Sequence, residues 1–472
     1  MSHALSRRAL IASGASMPLL AGCTSMHILH APRIAVTTPF DMPEIRATDF
    51  AGAATFPITD FGAAENDCAA TSAAIARAID AANAAGMGVV LVPPGTWPTG
   101  TIHFKSNVNL RLAKGATLLF SEKPEDYLPA VHSSWEGLEC MNYSPLVYAY
   151  QCENVALTGE GTLKAKLDVW RTWYARPKGH TDALVALYDM ARNGVPVEQR
   201  DMTKGEAHFR PQFVQFNRCS QVLIEGIRIE DSPFWCIHPY LCRDMVVRGV
   251  SIRAHGHNND GIDPEMTQNL LIENCVFDQG DDAVALKSGR EFDAWRLATP
   301  TRNVVVRHCQ VKNAHAILAI GSEMAGGVEN VFVHDCSYTP EAPGGPHAGN
   351  WVVPMQNVLF IKTNERRGGF VRNIHMLNVR AESVSDAVVR IDAHTLYQWK
   401  KLTPTYQREL TQIEGIRVRN VLVGAAQYIC RINGAKERPI ENVALRNVRV
   451  RKGTRTPFVT ENVENFRVGN TS

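Results

Sequence analysis

Short runs in which apolar and polar residues alternate recur along most of the chain, each opened by an Asn or an equivalent residue. The clearest are Asn269-Leu270-Leu271-Ile272, Asn303-Val304-Val305-Val306, Asn330-Val331-Phe332-Val333, Asn373-Ile374-His375-Met376, Gly415-Ile416-Arg417-Val418 and Asn442-Val443-Ala444-Leu445. Period-two alternation predicts strands. Steps of 27 residues from Asn303 to Asn330, 27 from Gly415 to Asn442 and 23 from Asn442 to Asn465 are too short for helical crossovers and too regular for a sandwich. They fit a solenoid. A second column of strand ends, Ile237, Ile262, Leu286, Ile320, Ile361 and Ile391, runs through the same coils.

Coils of roughly 22 to 27 residues stacking at about 4.8 Å describe an all-β fold, a right-handed single-stranded parallel β-helix. About ten such coils give a rod on the order of 50 Å long. Longer steps, 34 residues from Leu286 to Ile320 and 41 from Ile320 to Ile361, mark loop insertions on one side, which in repeat proteins is often the binding side. Residues 70–85 are alanine-rich with Ile75, Ile79 and Ala82 on one stripe and Gly86 as a stop, which predicts a short helix capping the first coil. Trp170 to Phe209 lacks strand alternation and reads as a long insertion over the cleft.

The N-terminus changes the picture of where this rod resides. Arg7-Arg8, the apolar run Ala9-Leu10-Ile11-Ala12 and Leu20-Ala21-Gly22-Cys23 predict an export signal over residues 1–22 with Cys23 as a lipidation site. Residues 23–55 then form a tether and 56–472 the solenoid domain. The expectation is a lipid-anchored protein of the periplasm or outer surface of a Gram-negative bacterium, monomeric, touching membrane only through its anchor. No stretch approaches the roughly 18 apolar residues of a membrane span. Lysines and arginines number 49 against 47 acids. With Arg7 and Arg8 removed the side-chain charges cancel, which argues against nucleic acid as a partner. The ten other cysteines include no Cys-x-x-Cys pair. Cys275, Cys309 and Cys336 each follow an Asn by six residues, which predicts an inward column of thiols rather than disulfides.

Charged residues cluster on consecutive coils: Asn258-Asn259-Asp260-Gly261-Ile262-Asp263, Gly280-Asp281-Asp282, and Ala314-His315-Ala316 leading to Ser322-Glu323. Asp260 to Asp281 is 21 residues, close to one coil, so their backbones are expected side by side. Alone, each Asp cluster would be read as a turn. At one-coil spacing with a His on the next coil, the carboxylates instead suit general acid and general base work.

Asn258-x-Asp260, Gly280-Asp281-Asp282, His315 and Ile361-Lys362, in this order, resemble the polygalacturonases, glycoside hydrolase family 28. Ser232-Pro233-Phe234-Trp235-Cys236-Ile237-His238-Pro239 and Gly321-Ser322-Glu323-Met324-Ala325-Gly326-Gly327 resemble its bacterial members. The resemblance runs from about Phe56 to the C-terminus. It implies inverting hydrolysis of α-linked galacturonic acid in pectic poly- or oligosaccharide, without metal or cofactor. Asp281 then matches the general acid, Asp260 and Asp282 the pair that activates water, His315 the histidine that tunes the acid, and Lys362 a contact to the substrate carboxylate. An anionic substrate requires cations in the subsites; Lys287 and Arg290 are candidates with Asn258 and Glu323, and Arg366 and Arg367 are further ones unless they belong to a solvated face. Phe360 stands where the family usually has Arg, and Ala314 and Ala316 flank His315 where it has Gly. Phe360 raises the alternative of a less polar sugar, as in rhamnogalacturonan. Long insertions favour release from chain ends. Rival readings are a pectate lyase on the same rod and a non-catalytic carbohydrate-binding β-helix.

Overall fold

The structure, a computed structural model, describes residues 32–341, 354–453 and 457–472. The leader, Cys23 and part of the insertion between Ile320 and Ile361 lie outside these residues. The described chain winds into a parallel β-helix. Ile102, Val147, Val214, Ile237, Ile262, Val284, Leu318, Leu359, Val389, Cys430 and Phe458 form one unbroken ladder of parallel partners. Buried residues of every coil join in one apolar column filling the bore.

The Asn that opens each repeat works as a corner. Asn269, Asn303, Asn330 and Asn373 all have φ between 55° and 58°, a left-handed conformation that Asn tolerates better than other side chains with a Cβ. Their amides stack: Asn303 donates to Asn269 at 2.9 Å, Asn330 to Asn303 at 3.0 Å and Asn373 to Asn330 at 2.7 Å. The corner residue thus makes the turn and hydrogen-bonds one coil to the next. All ten cysteines among the described residues are free, and Cys275, Cys309 and Cys336 are buried in the bore.

Helix α1, Cys68–Ala84, caps the first coil, with the Asp67 carboxylate accepting from Ala70 N at 2.9 Å. It buries Ile75, Ile79 and Ala82 against the strand Gly88–Val92. Gly88 is required there, because a Cβ would stand 2.9 Å from the Ala82 backbone. The described part of the tether is not free: Ile34, Val36, Met42 and Ile45 pack on Val246, Leu271 and Val305 of the outer sheet face.

Two register details differ from expectation. Ile262 pairs with Val284, not Leu286, whose partner is Ile320, so the second column shifts by two residues at that coil. Pro264 denies the Ile262 segment a ladder N–H, and it joins its neighbours only through isolated bridges. The step from this coil to the next is 22 residues on both sides of Pro264, Ile262 to Val284 and Glu265 to Lys287, so Asp260 lies beside Asp282, with Gly261 N donating to Asp282 O at 2.9 Å, while Asp281 lies beside His315, whose N donates to Asp281 O at 2.9 Å. The insertion contains helix α2, Lys178–Arg192, which turns Leu184, Leu187, Tyr188 and Ala191 onto Trp135, Phe209, Phe234 and Trp399 in a second apolar cluster outside the bore.

Candidate active site

A cleft of about 1100 Å³, open to solvent, lies at the ends of strands β1 (Ile237–Tyr240), β2 (Val284–Leu286), β3 (Ala316–Ile320) and β4 (Asn357–Lys362), with β5 (Ala387–Asp392) the next rung. Phe360 and Lys362 reach the cleft from β4 itself, and other charged residues of its lining come from the segments just before or after a strand, Asp281 and Asp282 before β2, Lys287 after it, His315 before β3 and Glu323 after it. All nine residues expected to catalyse or bind line it: Asp260, Asp281, Asp282, His315, Lys362, Lys287, Arg290, Asn258 and Glu323.

His315 Nδ1 donates to Asp281 Oδ1 at 3.1 Å, and Asp282 N donates to the same oxygen at 3.0 Å. Burial pushes the His315 imidazolium down, but the Asp281 charge and hydrogen bond outweigh it and bring the pKa up to about 9. Burial likewise pushes Asp281 up, yet the His315 charge and hydrogen bond, with Lys362 and Lys287, hold it below the ordinary carboxylate range. The pair therefore carries one proton below about pH 9, resting on the imidazole and one hydrogen bond away from Asp281.

Asp282 Oδ2 accepts from Lys362 Nζ at 2.9 Å, while its buried Oδ1 has no hydrogen-bond partner. Asp260 is pushed well above the usual range by burial first, then by the charges of Asp263 and Asp281, against Lys287. Lys287 Nζ is the hub of this region, 3.9 Å from Asp260, 3.5 Å from Asp263, 3.6 Å from Glu323 and 4.5 Å over the Trp235 ring. Glu323 has further cations, with Arg290 at 2.8 Å and Arg367 at 3.9 Å, which outweigh its burial and bring its pKa down to about 2. Asp260 and Asp263 share Lys287 alone.

Lys287 and Glu323 thus brace the acids of the cleft, and the Asn258 carbonyl is occupied by Arg176 and Arg210, both at 3.1 Å. Arg366 and Arg367 are neither subsite residues nor a solvated face. They are 4% and 2% exposed, Arg366 donating to Thr403 and Thr405 and Arg367 to Ser322 O and Glu291. Arg290 lines the cleft but is largely engaged: it donates to Glu136 O at 2.9 Å and to Glu323 Oε1 at 2.8 Å and lies 4.3 Å over Trp399, while its Nη1 is buried without a partner. The ring of Phe360 lies under the Arg390 guanidinium at 4.9 Å and the Lys362 ammonium at 5.3 Å, so cations already sit over it.

Sequence reasoning missed one wall of the cleft, made by Glu136, Arg176, Tyr397, Gln398 and Trp399. Arg176 Nη1 donates to Gln398 Oε1 at 3.2 Å and its Nη2 lies 3.8 Å from Glu136, which in turn lies 3.5 Å from Arg290. These contacts tie the hairpin Val131–Asn142, the insertion and the segment after β5 together across the cleft. Asp281, Asp282 and His315 each offer an atom within 4.8 Å of the others, a grouping able to take a divalent cation; the Lys362 ammonium puts a positive charge at its edge.

The family model of glycosyl hydrolases family 28 matches residues 197–470. The chain belongs to that family. It is a glycoside hydrolase, and the family 28 match spans the catalytic coils through nearly the last rung. The fold is similar to that of a hyperthermoactive exopolygalacturonase from Thermotoga maritima, with 35% identity, a TM-score of 0.79, and coverage of 90% of this chain and 94% of that one. A probable polygalacturonase of Vitis vinifera is 24% identical over 389 residues, 80% of this chain and 70% of its own length. An exo-poly-alpha-D-galacturonosidase of Dickeya chrysanthemi is 24% identical over 320 residues, 63% of this chain and 52% of its own length.

Proposed function

We propose that this family 28 hydrolase removes galacturonic acid units from the ends of pectic chains with inversion at the anomeric carbon. The observation that carries the reading is the grouping of Asp260, Asp281, Asp282 and His315 in one cleft with Lys362, Arg290 and Arg176. In the proposed reaction, Asp281 protonates the glycosidic oxygen and draws that proton from His315. Asp260 and Asp282 orient a water on the other face of the sugar and take its proton as it attacks. Inversion requires room for that water between acid and base; the Asp281 carboxylate bonds to His315 and that of Asp282 to Lys362, so the two carboxyls have different partners. Lys362 and Arg290, both on the lining of the cleft, supply positive charge for the substrate carboxylate. The Glu136–Arg176–Gln398 contacts across the cleft support action at a chain end.

The test is turnover of polygalacturonate beside rhamnogalacturonan oligosaccharides, with the product anomer followed by NMR. Inverted galacturonic acid released while viscosity stays high supports the reading. An unsaturated, ultraviolet-absorbing product would make the chain a lyase, and binding without turnover would make it a carbohydrate-binding rod. We further propose that the chain is exported and anchored through Cys23, supported by Leu20-Ala21-Gly22-Cys23; loss of fatty-acid labelling in Cys23→Ala is the expected result.

A further inference from the structure

The outer face of the long sheet changes character along the rod within single columns of residues. One column runs Leu223, Val246, Leu271, Val305, Phe332, His375, Arg417, Ala444, Arg467 in continuous parallel register. Its apolar part lies under the N-terminal strap, and the strap's Phe40 ring reaches His375 at 6.1 Å. Past that point the column is uncovered and carries Arg417 and Arg467, both exposed.

The neighbouring column runs Glu225, Arg248, Glu273, Arg307, His334, Leu377, Arg419, Arg446. In its first coils opposite charges alternate and pair, Arg248 with Glu225 and Arg307 with Glu273, each at 2.6 Å. In its last coils Arg419 stands directly beside Arg446, and neither makes an ion pair among the described residues. No Asp or Glu occurs in residues 1–31, 342–353 or 454–456, so the remaining chain holds no carboxylate side chain for them. Like charges on facing positions cost stability, and nothing in the packing of these coils calls for them.

Two grooves of about 860 and 1060 Å³ flank this strip, the first lined by Arg372, Arg417 and Arg467 and the second by Arg380 and Arg449. Acids lie at the margins of the strip: Glu414, of the column Glu414, Glu441 and Glu464, lines the first groove, Asp335 lines the second, and Arg372 is paired with Glu329 at 2.7 Å. The cleft opens on the sheet of β1 to β5, whereas this strip belongs to the other sheet.

We propose that the outer sheet face of the last coils, centred on Arg417, Arg419 and Arg446, is a second binding site for a linear polyuronate chain, separate from the catalytic cleft. Arg419 and Arg446 stand one rung of about 4.8 Å apart and Arg417 and Arg467 two rungs apart, a cluster of planar donors for a polymer with a carboxylate on every sugar. The site would hold the polymer while the cleft works on its end. This inference rests on the galacturonan reading of the cleft only for the identity of the polymer.

The test uses the full chain carrying Asp281→Asn, its cleft filled with saturating trigalacturonate, and measures retention of polygalacturonate by affinity electrophoresis. Retention is expected, weakening as salt rises from about 50 to about 200 mM, and absent with neutral galactan. Adding Arg417→Gln, Arg419→Gln and Arg446→Gln should weaken retention by about tenfold. In the active chain the same three changes should leave kcat/KM on trigalacturonate unchanged and lower it several-fold on polymer. Unchanged retention in the triple variant, with an unchanged melting temperature as a folding control, overturns the proposal. So does a triple variant that loses binding to anionic phospholipid vesicles but keeps polygalacturonate. Failure of the catalytic reading would appear separately, as absent turnover of trigalacturonate by the active chain.

Discussion

In the proposed reaction His315 and Asp281 together hold the proton that a leaving group needs, the hydrogen bond at 3.1 Å letting the imidazole store it and the carboxyl deliver it. Asp281→Asn should lower kcat by about 10² to 10⁴ with binding retained, measured by initial rates and calorimetry. The alkaline limb of kcat/KM should fall near pH 9, where His315 loses its proton. In His315→Gln that limb should move to lower pH, since the acid then loses its proton reservoir. Asp260 gives the opposite limb: it acts as a base only when ionised, and burial with Asp263 and Asp281 opposes ionisation while Lys287 favours it. Asp263→Asn removes a negative charge, so the acid limb should move to lower pH, and Lys287→Met should move it to higher pH. Shifts in the same direction, or none in either variant, would sink the assignment of Asp260 as base.

Among the elements, those with local causes were the legible ones. The Asn corners, the alternating strands and the stripe of α1 each announce themselves within a few residues, and Ile75, Ile79 and Ala82 are buried in the structure as the pattern implies. Replacing Ile79, 1% exposed, by Ala should cost about 2 to 5 kcal/mol, read as a lowered urea midpoint. Helix α2 was legible too, since Leu184, Leu187, Tyr188 and Ala191 follow helical spacing, but a search for period-two alternation passes over it. What the sequence could not show is partnership over distance. Arg176 meets Gln398 only because two insertions fold back over one cleft, and Lys287 serves Asp260, Asp263 and Glu323 because it lies between coils. The pairing of Asp260 with Asp282 rather than Asp281 was hidden for a related reason: the sequence bounds coil length only to a range, and here the coil runs 22 residues, from Ile262 to Val284, so a 21-residue step lands one position short.

At the scale of the whole molecule, charge is balanced inside the cleft as well as over the chain. Glu136, Asp260, Asp281, Asp282 and Glu323 face Arg176, Lys287, Arg290, Lys362 and His315, so an incoming galacturonate meets donors that mostly have carboxylate partners already. Among the described residues the cleft lining has three buried nitrogens without partners, Arg290 Nη1 and Arg176 Nε at the wall and Nε2 of His315. A chain end places its carboxylate against that wall, whereas a mid-chain segment would have to pass through the Glu136–Arg176–Gln398 contacts. Opening the wall should therefore exchange one mode of action for the other. In Glu136→Ser with Arg176→Ser, kcat/KM on trigalacturonate should fall by about tenfold, the loss of one charge-assisted contact, while each bond cut in polygalacturonate should now lower viscosity steeply. Both quantities come from one pair of assays, reducing ends against viscosity. A variant that lost rate but still released only end units would place the barrier to mid-chain cutting elsewhere, in the remaining aromatic wall of Tyr397 and Trp399.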